Sequence, residues 1–176
     1  MTRKIILYIA CSADGFIAGE NDDLSFLNPM HVEGEDYGYK TFTSSVDTIL
    51  WGRKTYDVVK GFGGPFPHPD KKVYVFSRTP QEADENVDYV SGDIASFVKD
   101  LKQQEGKHIY CDGGAGLVAA LLEHDLIDEF IISYVPALVG KGTRLFSDGL
   151  APRDIELINS KAYSSGLVQN HYLRKR

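Results

Sequence analysis

The chain has 176 residues, of which 43% are hydrophobic and 25% charged, and this composition predicts one globular domain with a substantial core. Its net charge of −6 argues against nonspecific nucleic-acid binding, so any phosphate site has to be a local basic pocket. No apolar run could span a membrane, and the five histidines and two cysteines lack metal-ligand spacing, so we expect a cytoplasmic protein without a metal site.

The chain opens with an apolar strand and a polar loop. Residues 5–11 are almost all apolar and mostly β-favouring, which predicts a central strand buried on both faces. Residues 12–15 break this strand, and residues 16–18 are a short apolar return within the loop. Residues 33–45 place acids first and aromatics later, which favours a helix with a carboxylate-rich start.

A strand–helix corner comes next. The apolar residues 49–51 predict a short buried strand that stops at Gly52, and the residues that follow favour a helix. Such a corner leaves backbone N–H groups free at the positive end of the helix dipole, where anions bind. Arg53, Lys54 and Thr55 lie in this turn and could close on a phosphate. The alternative is an ordinary corner with two solvated cations.

A loop and a second strand follow the corner. Residues 62–70 are rich in glycine and proline but carry apolar side chains, so they form a pocket rim, an interface or a surface loop packed on itself. Residues 72–78 predict a strand that ends in a hydroxyl and a cation, Ser77 and Arg78. A short strand at 87–90 and a helix at 94–101 come after it.

The second half contains another strand–turn–helix unit and a hairpin. Residues 108–111 predict a strand, and the glycine-rich residues 112–116 lead into a helix at 117–124. Glycines here let a pyrophosphate approach the backbone, although tight strand–helix packing explains them equally well. Residues 127–136 predict a long strand, and a turn at 164–166 joins the two strands of a terminal hairpin.

These segments, in this order, resemble the dihydrofolate reductases. The corner Trp51-Gly52-Arg53-Lys54-Thr55-Tyr56 resembles the segment that holds NADPH phosphates in that family. The strand ending in Ser-Arg and the Gly-Gly turn, joined there by a cis peptide, also match. Residues 126–146 run from Leu-Ile-Asp-Glu through Pro to a Gly-x-Gly loop ending in Leu-Phe. They resemble the reductase domain of the bifunctional riboflavin-biosynthesis deaminase–reductase, which shares this fold.

The resemblance covers residues 5–173 and implies a single dihydrofolate reductase-like domain over residues 1–176. That fold is a three-layer α/β arrangement with a mostly parallel central sheet, an antiparallel C-terminal hairpin and helices on both faces. A preceding deaminase module is not expected, because its zinc-binding pattern is absent from the sequence.

The resemblance implies an NADPH-dependent oxidoreductase. The substrate would be of the aminopyrimidine type, similar to 5-amino-6-(5-phosphoribosylamino)uracil, or of the pterin type, similar to dihydrofolate. The alternative is a nucleotide-binding module of the same fold without turnover. Ala10 and Ile17 would seat the nicotinamide. The remaining residues expected to hold the cofactor are Gly52, Arg53, Lys54, Thr55, Ser77, Arg78, Gly113, Gly114 and Ala115.

The substrate half departs from the family pattern. Phe26 stands near the place of the tryptophan that precedes the buried acid of dihydrofolate reductases, and Phe16 replaces the basic residue that riboflavin-pathway reductases carry after Asp-Gly. Asp14 is expected to orient the loop rather than to donate a proton. The catalytic residue is therefore unknown, and the candidates for proton donor are Glu33, Glu35 and Asp36.

A homodimer is the expected assembly, with a small-molecule substrate and neither nucleic acid nor membrane as a partner. Related reductase domains commonly pair, and several apolar residues near the C-terminus exceed what the pattern assigns to one small core. They could instead complete the two buried faces of the sheet. These residues are Tyr134, Val135, Leu138, Tyr163, Leu167 and Tyr172.

Overall fold

The structure, a computed structural model, describes residues 2–79 and 81–175. The strands are β1 (Ile5–Ser12), β2 (Phe16–Gly19), β3 (Val46–Gly52), β4 (Lys72–Phe76), β5 (Asp88–Val90), β6 (His108–Gly113), β7 (Glu129–Val135), β8 (Gly142–Arg144), β9 (Ile155–Ala162) and β10 (Val168–Arg174). The α-helices are α1 (Tyr39–Ser44), α2 (Arg53–Gly61), α3 (Ile94–Gln103) and α4 (Ala115–Glu123), and 3₁₀ turns cover Glu20–Asp22 and Ser25–Met30.

Eight strands form one sheet in the order β5-β4-β3-β6-β1-β7-β10-β9. The first six in this order run parallel to one another. β10 and β9 extend the sheet antiparallel at the β7 side, as the terminal hairpin. The mostly parallel sheet with an antiparallel C-terminal hairpin, expected from the sequence, is confirmed.

Helices cover both faces of the sheet because successive side chains of a strand point in opposite directions. In β3, Leu50 belongs to the cluster that includes side chains of α3 and α4, whereas Ile49 and Trp51 belong to the cluster that includes side chains of α1 and α2. All three side chains are fully buried. This arrangement explains why the strand has an unbroken apolar run rather than alternating polar residues.

The two cysteines lie in the core on neighbouring strands. Cys11 in β1 and Cys111 in β6 are buried members of one apolar cluster, and both are free thiols. Burial raises the pKa of the Cys11 thiol to about 11 and that of the Cys111 thiol to about 12. Both sulfurs are therefore neutral and inert in the folded protein.

The helix expected over residues 33–45 is wrong in its length, since α1 covers only Tyr39–Ser44. Gly34 and Gly38 adopt left-handed backbone angles, which interrupt any helix before α1. The Asp36 carboxylate accepts hydrogen bonds from the backbone N–H groups of Gly38 and Lys40, each at 3.0 Å. The acids thus shape a turn ahead of the helix instead of forming its first turn.

The short apolar return at residues 16–18 lies in β2, which pairs with β8 in a separate two-stranded sheet. Phe16 and Ala18 are buried there. This pairing joins the loop after β1 to the glycine-rich segment after β7, and both segments lie at the same end of the main sheet.

Most of the C-terminal apolar residues have partners within the chain. Val135 and Leu167 are buried in a third cluster together with Met30. The ring of Tyr163 packs edge-on against Tyr37, with centroids 4.9 Å apart. Tyr134 and Tyr172 pack against the main core, so only Leu138, 81% exposed, remains without cover among the six residues named above.

Candidate active site

A cleft of about 1200 Å³ opens at the carboxyl ends of the parallel strands. Its walls include Ala10 of β1, Gly52 at the end of β3, Ser77 just after β4 and Asp112 in β6. Ligands of open α/β sheets bind at this edge, because the loops that follow the strands converge there. The cleft is therefore the place where the sequence-predicted cofactor segments can meet.

The structure brings nearly all of the predicted cofactor residues to this one cleft. Gly113 is the exception, since it is not among the residues that line the cleft. Gly113 adopts a left-handed φ of +100°, and the peptide bond that joins it to Gly114 is cis. That these predicted residues bind a cofactor remains a prediction. The residues that line the cleft are Ala10, Ile17, Gly52, Arg53, Lys54, Thr55, Ser77, Arg78, Gly114 and Ala115.

Two helices begin at the cleft with glycine at the N-cap, α2 after Gly52 and α4 after Gly114. Within residues 2–79 and 81–175, no side chain caps either helix. By contrast, α3, whose first residue Ile94 also lines the cleft, is capped by Asp93, which accepts a hydrogen bond from the Ser96 N–H at 3.1 Å. The uncapped N–H groups of α2 and α4 are suited to anions such as phosphates.

The two glycine corners approach each other closely. A Cβ atom placed on Gly114 would lie 3.0 Å from the Thr55 hydroxyl, and one placed on Gly52 would lie 3.5 Å from the Gly114 nitrogen. Side chains here would fill the space between the two helix starts. The absence of side chains at Gly52 and Gly114 thus keeps open the space, called the cradle below, that the resemblance assigns to a pyrophosphate.

Three cations, Arg53, Lys54 and Arg78, line the same cleft as this cradle. Arg53 pairs with Asp57 at 3.2 Å, and Lys54 pairs with Asp22, another residue of the cleft wall, at 3.3 Å. Arg78 has no carboxylate partner among residues 2–79 and 81–175. The basic pocket required of an acidic protein is thus present in the cleft.

Asp112 is a functional candidate that the sequence reasoning missed. Its carboxylate lines the cleft and accepts hydrogen bonds from the Trp51 indole at 2.6 Å and from the Tyr110 hydroxyl at 2.5 Å. Burial raises the pKa of Asp112 to about 6, and the hydrogen bonds from Tyr110 and Trp51 oppose that rise. A carboxyl group with this pKa can hold a proton and release it near neutral pH. The sequence signal that could have identified Asp112 is its position, since it is an acid immediately before the Gly-Gly pair at the end of a strand.

The predicted proton donors line a different cavity. Glu33, Glu35 and Asp36 contribute to the wall of a second cavity of about 710 Å³. Tyr8, Ala10, Leu27 and Tyr39 line both spaces, so the second cavity joins the large cleft. Glu35 already accepts a hydrogen bond from the Tyr37 N–H at 2.7 Å, in addition to the role of Asp36 described above. The structure therefore places these acids on the outer side of the second cavity, away from Asp112.

Asp14 has the contacts of a residue that orients a loop. Its carboxylate accepts hydrogen bonds from the Ser12 hydroxyl and from the backbone N–H groups of Val139 and Gly140. The Ser12 hydrogen bond, followed by that of Val139, lowers the pKa of Asp14 to about 2. Asp14 therefore stays ionised and ties the loop after β1 to the segment after β7.

The described residues contain neither a cluster of metal-ligating side chains nor a helix that could span a membrane. Across residues 2–79 and 81–175, no three histidine, cysteine, aspartate or glutamate side chains come together as a metal site would require. In the same part of the chain, every helix is too short or too polar to cross a membrane.

Comparison with solved structures supports the fold. The chain superposes on a structure from Shewanella sp. PV-4, whose name refers to riboflavin biosynthesis, with a TM-score of 0.90, 31% identity and complete coverage of both chains. It superposes on a dihydrofolate reductase from Enterococcus faecalis, solved in complex with NADP(H), with a TM-score of 0.71, 14% identity and complete coverage of both chains. The dihydrofolate reductase-like fold is therefore confirmed.

Comparison with known sequences gives the family. The chain is 40% identical over 175 residues to the uncharacterized protein YwjB of Bacillus subtilis (strain 168), with 99% of each chain covered. The family model described as the RibD C-terminal domain matches residues 66–169. Because this match spans more than half of the chain, the protein belongs to the RibD C-terminal domain family.

Proposed function

We propose that this protein is an NADPH-dependent reductase that acts on a small heterocycle of the aminopyrimidine or pterin type. Membership of a reductase family and the dihydrofolate reductase-like fold support this reaction class. The observation that carries the proposal is the meeting, in one cleft, of a phosphate cradle and a carboxyl group whose pKa lies near 6. The carboxyl group favours a reductase over a nucleotide-binding module, because it adds a proton donor to the cofactor site.

The phosphate cradle would hold the dinucleotide. Gly52 and Gly114 open space for the pyrophosphate at the two helix starts, while Arg53, Lys54 and Arg78 supply positive charge. Ala10 and Ile17 would form the apolar seat of the nicotinamide. When bound there, NADPH would supply the hydride that the protein itself cannot provide.

Asp112 would supply the proton. Reduction of a C=N or C=O bond consumes one proton in addition to the hydride, so a donor must face the cleft. Trp51 and Tyr110 hold the Asp112 carboxyl in place from two directions. After turnover, the carboxylate would recover its proton from solvent through the open cleft.

The test combines binding with turnover. NADPH is titrated against the protein by fluorescence, and its oxidation is then followed by absorbance with a panel of aminopyrimidines, dihydropterins and simple carbonyl compounds. We expect binding and saturable oxidation with at least one heterocycle. Tight NADPH binding without oxidation on any of them would favour the nucleotide-binding module, and absence of NADPH binding would reject the cofactor assignment.

A further inference from the structure

We infer that the second cavity, between β1, β7 and the segment that precedes α1, takes a flat heterocycle that is neutral or cationic and carries no phosphate. This inference rests on the proposed function, because it treats the cavity as the substrate side of the reductase site. It separates this protein from reductases whose aminopyrimidine substrate bears a phosphoribosyl group.

The cavity has the size and the walls of a site for a ring system. Its volume of about 710 Å³ is in the range of small-molecule sites, and it joins the large cleft at Ala10, where the nicotinamide is expected. Tyr8, Tyr37 and Tyr39 contribute aromatic surface, and Leu27 and Leu167 contribute aliphatic surface. Such walls suit a planar heterocycle.

Hydrogen bonds hold this aromatic wall in place. The Tyr8 hydroxyl donates to the Tyr37 carbonyl at 2.9 Å, and the Gln169 amide donates to the same carbonyl at 3.2 Å and to the Ser133 hydroxyl at 3.0 Å. The Tyr37 hydroxyl in turn donates to the Met30 carbonyl at 2.8 Å. The wall is thus fixed before a ligand arrives, which favours selectivity.

The rim of the cavity is acidic. Glu33, Glu35 and Asp36 line it, and within residues 2–79 and 81–175 no lysine or arginine does. Lys40 lies close enough to Asp36 to offset part of its charge, and the rim also holds His31. Even so, the carboxylates outnumber the positive charge that these two residues can bring.

This charge opposes a phosphate on the substrate. A phosphate monoester carries roughly −1.5 to −2 at pH 7, so carboxylates at the rim would repel it. The cations of the site, Arg53, Lys54 and Arg78, line the other space, at the cofactor cradle. Phosphate recognition is therefore confined to the cofactor side, and the substrate side selects against it.

The experiment uses ligands that differ only in the phosphate. Affinities for 5-amino-6-(5-phosphoribosylamino)uracil and for its dephosphorylated riboside are measured by calorimetry at low ionic strength, with and without NADPH. A methyl-substituted dihydropterin serves as a third, uncharged probe. We expect the riboside to bind at least about tenfold more tightly than its phosphate, since each carboxylate adds to the repulsion and salt screens it.

Reversing a charge at the rim tests whether the rim carboxylates cause the preference for the riboside. Glu33→Lys leaves the hydrogen bonds of Glu35 and Asp36 intact and should reduce the preference for the riboside severalfold or reverse it. Glu105→Lys makes the same change of charge on an exposed residue outside both cavities and should leave the preference unchanged.

Three results would overturn the inference. These are binding of the phosphorylated ligand to the wild-type protein as tightly as, or more tightly than, its riboside, a preference that Glu33→Lys does not alter, and absence of binding by all three probes. Failure of the proposed function is distinct from these, because it would appear as absence of NADPH binding or oxidation while the ligand preference is measured independently.

Discussion

In the proposed reductase, Asp112 is the residue that distinguishes the cleft from a site that only binds a nucleotide. We expect Asp112→Asn to retain NADPH affinity but to slow turnover by about 10²- to 10⁴-fold, because a positioned acid contributes that much to proton transfer. In the wild-type protein, turnover should fall as pH rises through about 6, since the protonated form is lost. Rate measurements from about pH 5 to 8 check both expectations.

The hydrogen bond from Tyr110 gives a control for this assignment. Tyr110 stabilises the ionised carboxylate, so Tyr110→Phe should raise the pKa of Asp112 and move the fall in turnover to higher pH. An inflection that stays in place in Tyr110→Phe, or that persists in Asp112→Asn, would assign it to another group.

The raised pKa of Asp112 also affects stability. The folded protein binds this proton more tightly than the unfolded chain, in which the ordinary pKa of 3.8 applies. The free energy of unfolding should therefore fall as pH rises from about 4 to about 6, and this part of its pH dependence should vanish in Asp112→Asn. Urea titrations of both proteins across this range provide the measurement.

Arg78 is expected to decide between the two nicotinamide cofactors. It is an exposed cation two residues after β4 that lines the cleft, so we expect it to contact the 2′-phosphate that only NADPH carries. Arg78→Ala should weaken NADPH by about tenfold or more, from the loss of roughly 1.5–3 kcal/mol for a charge-assisted contact, and should leave NADH nearly unchanged. Equal losses for both cofactors would place the phosphate elsewhere.

At the scale of single residues, the sequence predicts a functional group only where that group depends on its neighbours along the chain. Gly52, Arg53 and Lys54 share one turn, so a local pattern predicts their common location. Asp112 acquires its pKa from burial beside Trp51, which is 61 residues away, and no local pattern contains that contact.

The Gly-Gly turn between β6 and α4 allows a prediction at the scale of elements. Gly114 has a φ of −78°, which other residues adopt, so Gly114→Val should fold. Its side chain would meet the Thr55 hydroxyl and fill the cradle, so NADPH binding should be abolished. Circular dichroism and NADPH titration together check this expectation.

Gly113 provides the contrast. Its φ of +100° disfavours any side chain, and a Cβ would lie 3.2 Å from Ile9. Gly113→Ala should therefore lower the melting temperature more than Gly114→Val does. If Gly114→Val is the variant that unfolds, the turn serves packing rather than a cofactor.

The strands were predictable because their apolar pattern is local in the sequence. The length of α1, the helix before β3, was not predictable in this way. Apolar runs specify β1, β3 and β6 wherever they pair, since both faces are buried. Over residues 33–45, the left-handed backbone of Gly34 and Gly38 prevents the helix that the order of acids and aromatics favours. The pairing of β2 with β8 joins segments more than a hundred residues apart, which turn signals cannot reveal.

At the scale of the whole molecule, the homodimer remains a prediction. The residues that now support it lie in β9 rather than among the six apolar residues named in the sequence analysis. β9 is an edge strand that is exposed along its whole length, with Leu157 54% and Ile158 47% exposed. Exposed apolar edge strands invite pairing, so we expect a two-fold dimer through β9. Sedimentation should then give about twice the chain mass of 19.6 kDa.

Matched substitutions locate the interface. Leu157→Lys should shift the protein towards monomer, because it places a charge on the paired edge. Leu138→Lys introduces the same charge at an exposed leucine outside β9 and should leave the dimer intact. A wild-type protein that sediments as a monomer at all concentrations, or a dimer that only Leu138→Lys disrupts, would contradict this interface.

The two thiols in the centre of the sheet can be used to measure how often the core of the protein opens. A thiol-directed reagent reaches Cys11 or Cys111 only when the core around β1 and β6 opens, so the labelling rate follows the population of opened molecules. Any ligand that binds the closed form slows labelling by the factor by which it lowers that population. Candidate cofactors and substrates can therefore be ranked by the protection they give these sulfurs, before any reaction has been found.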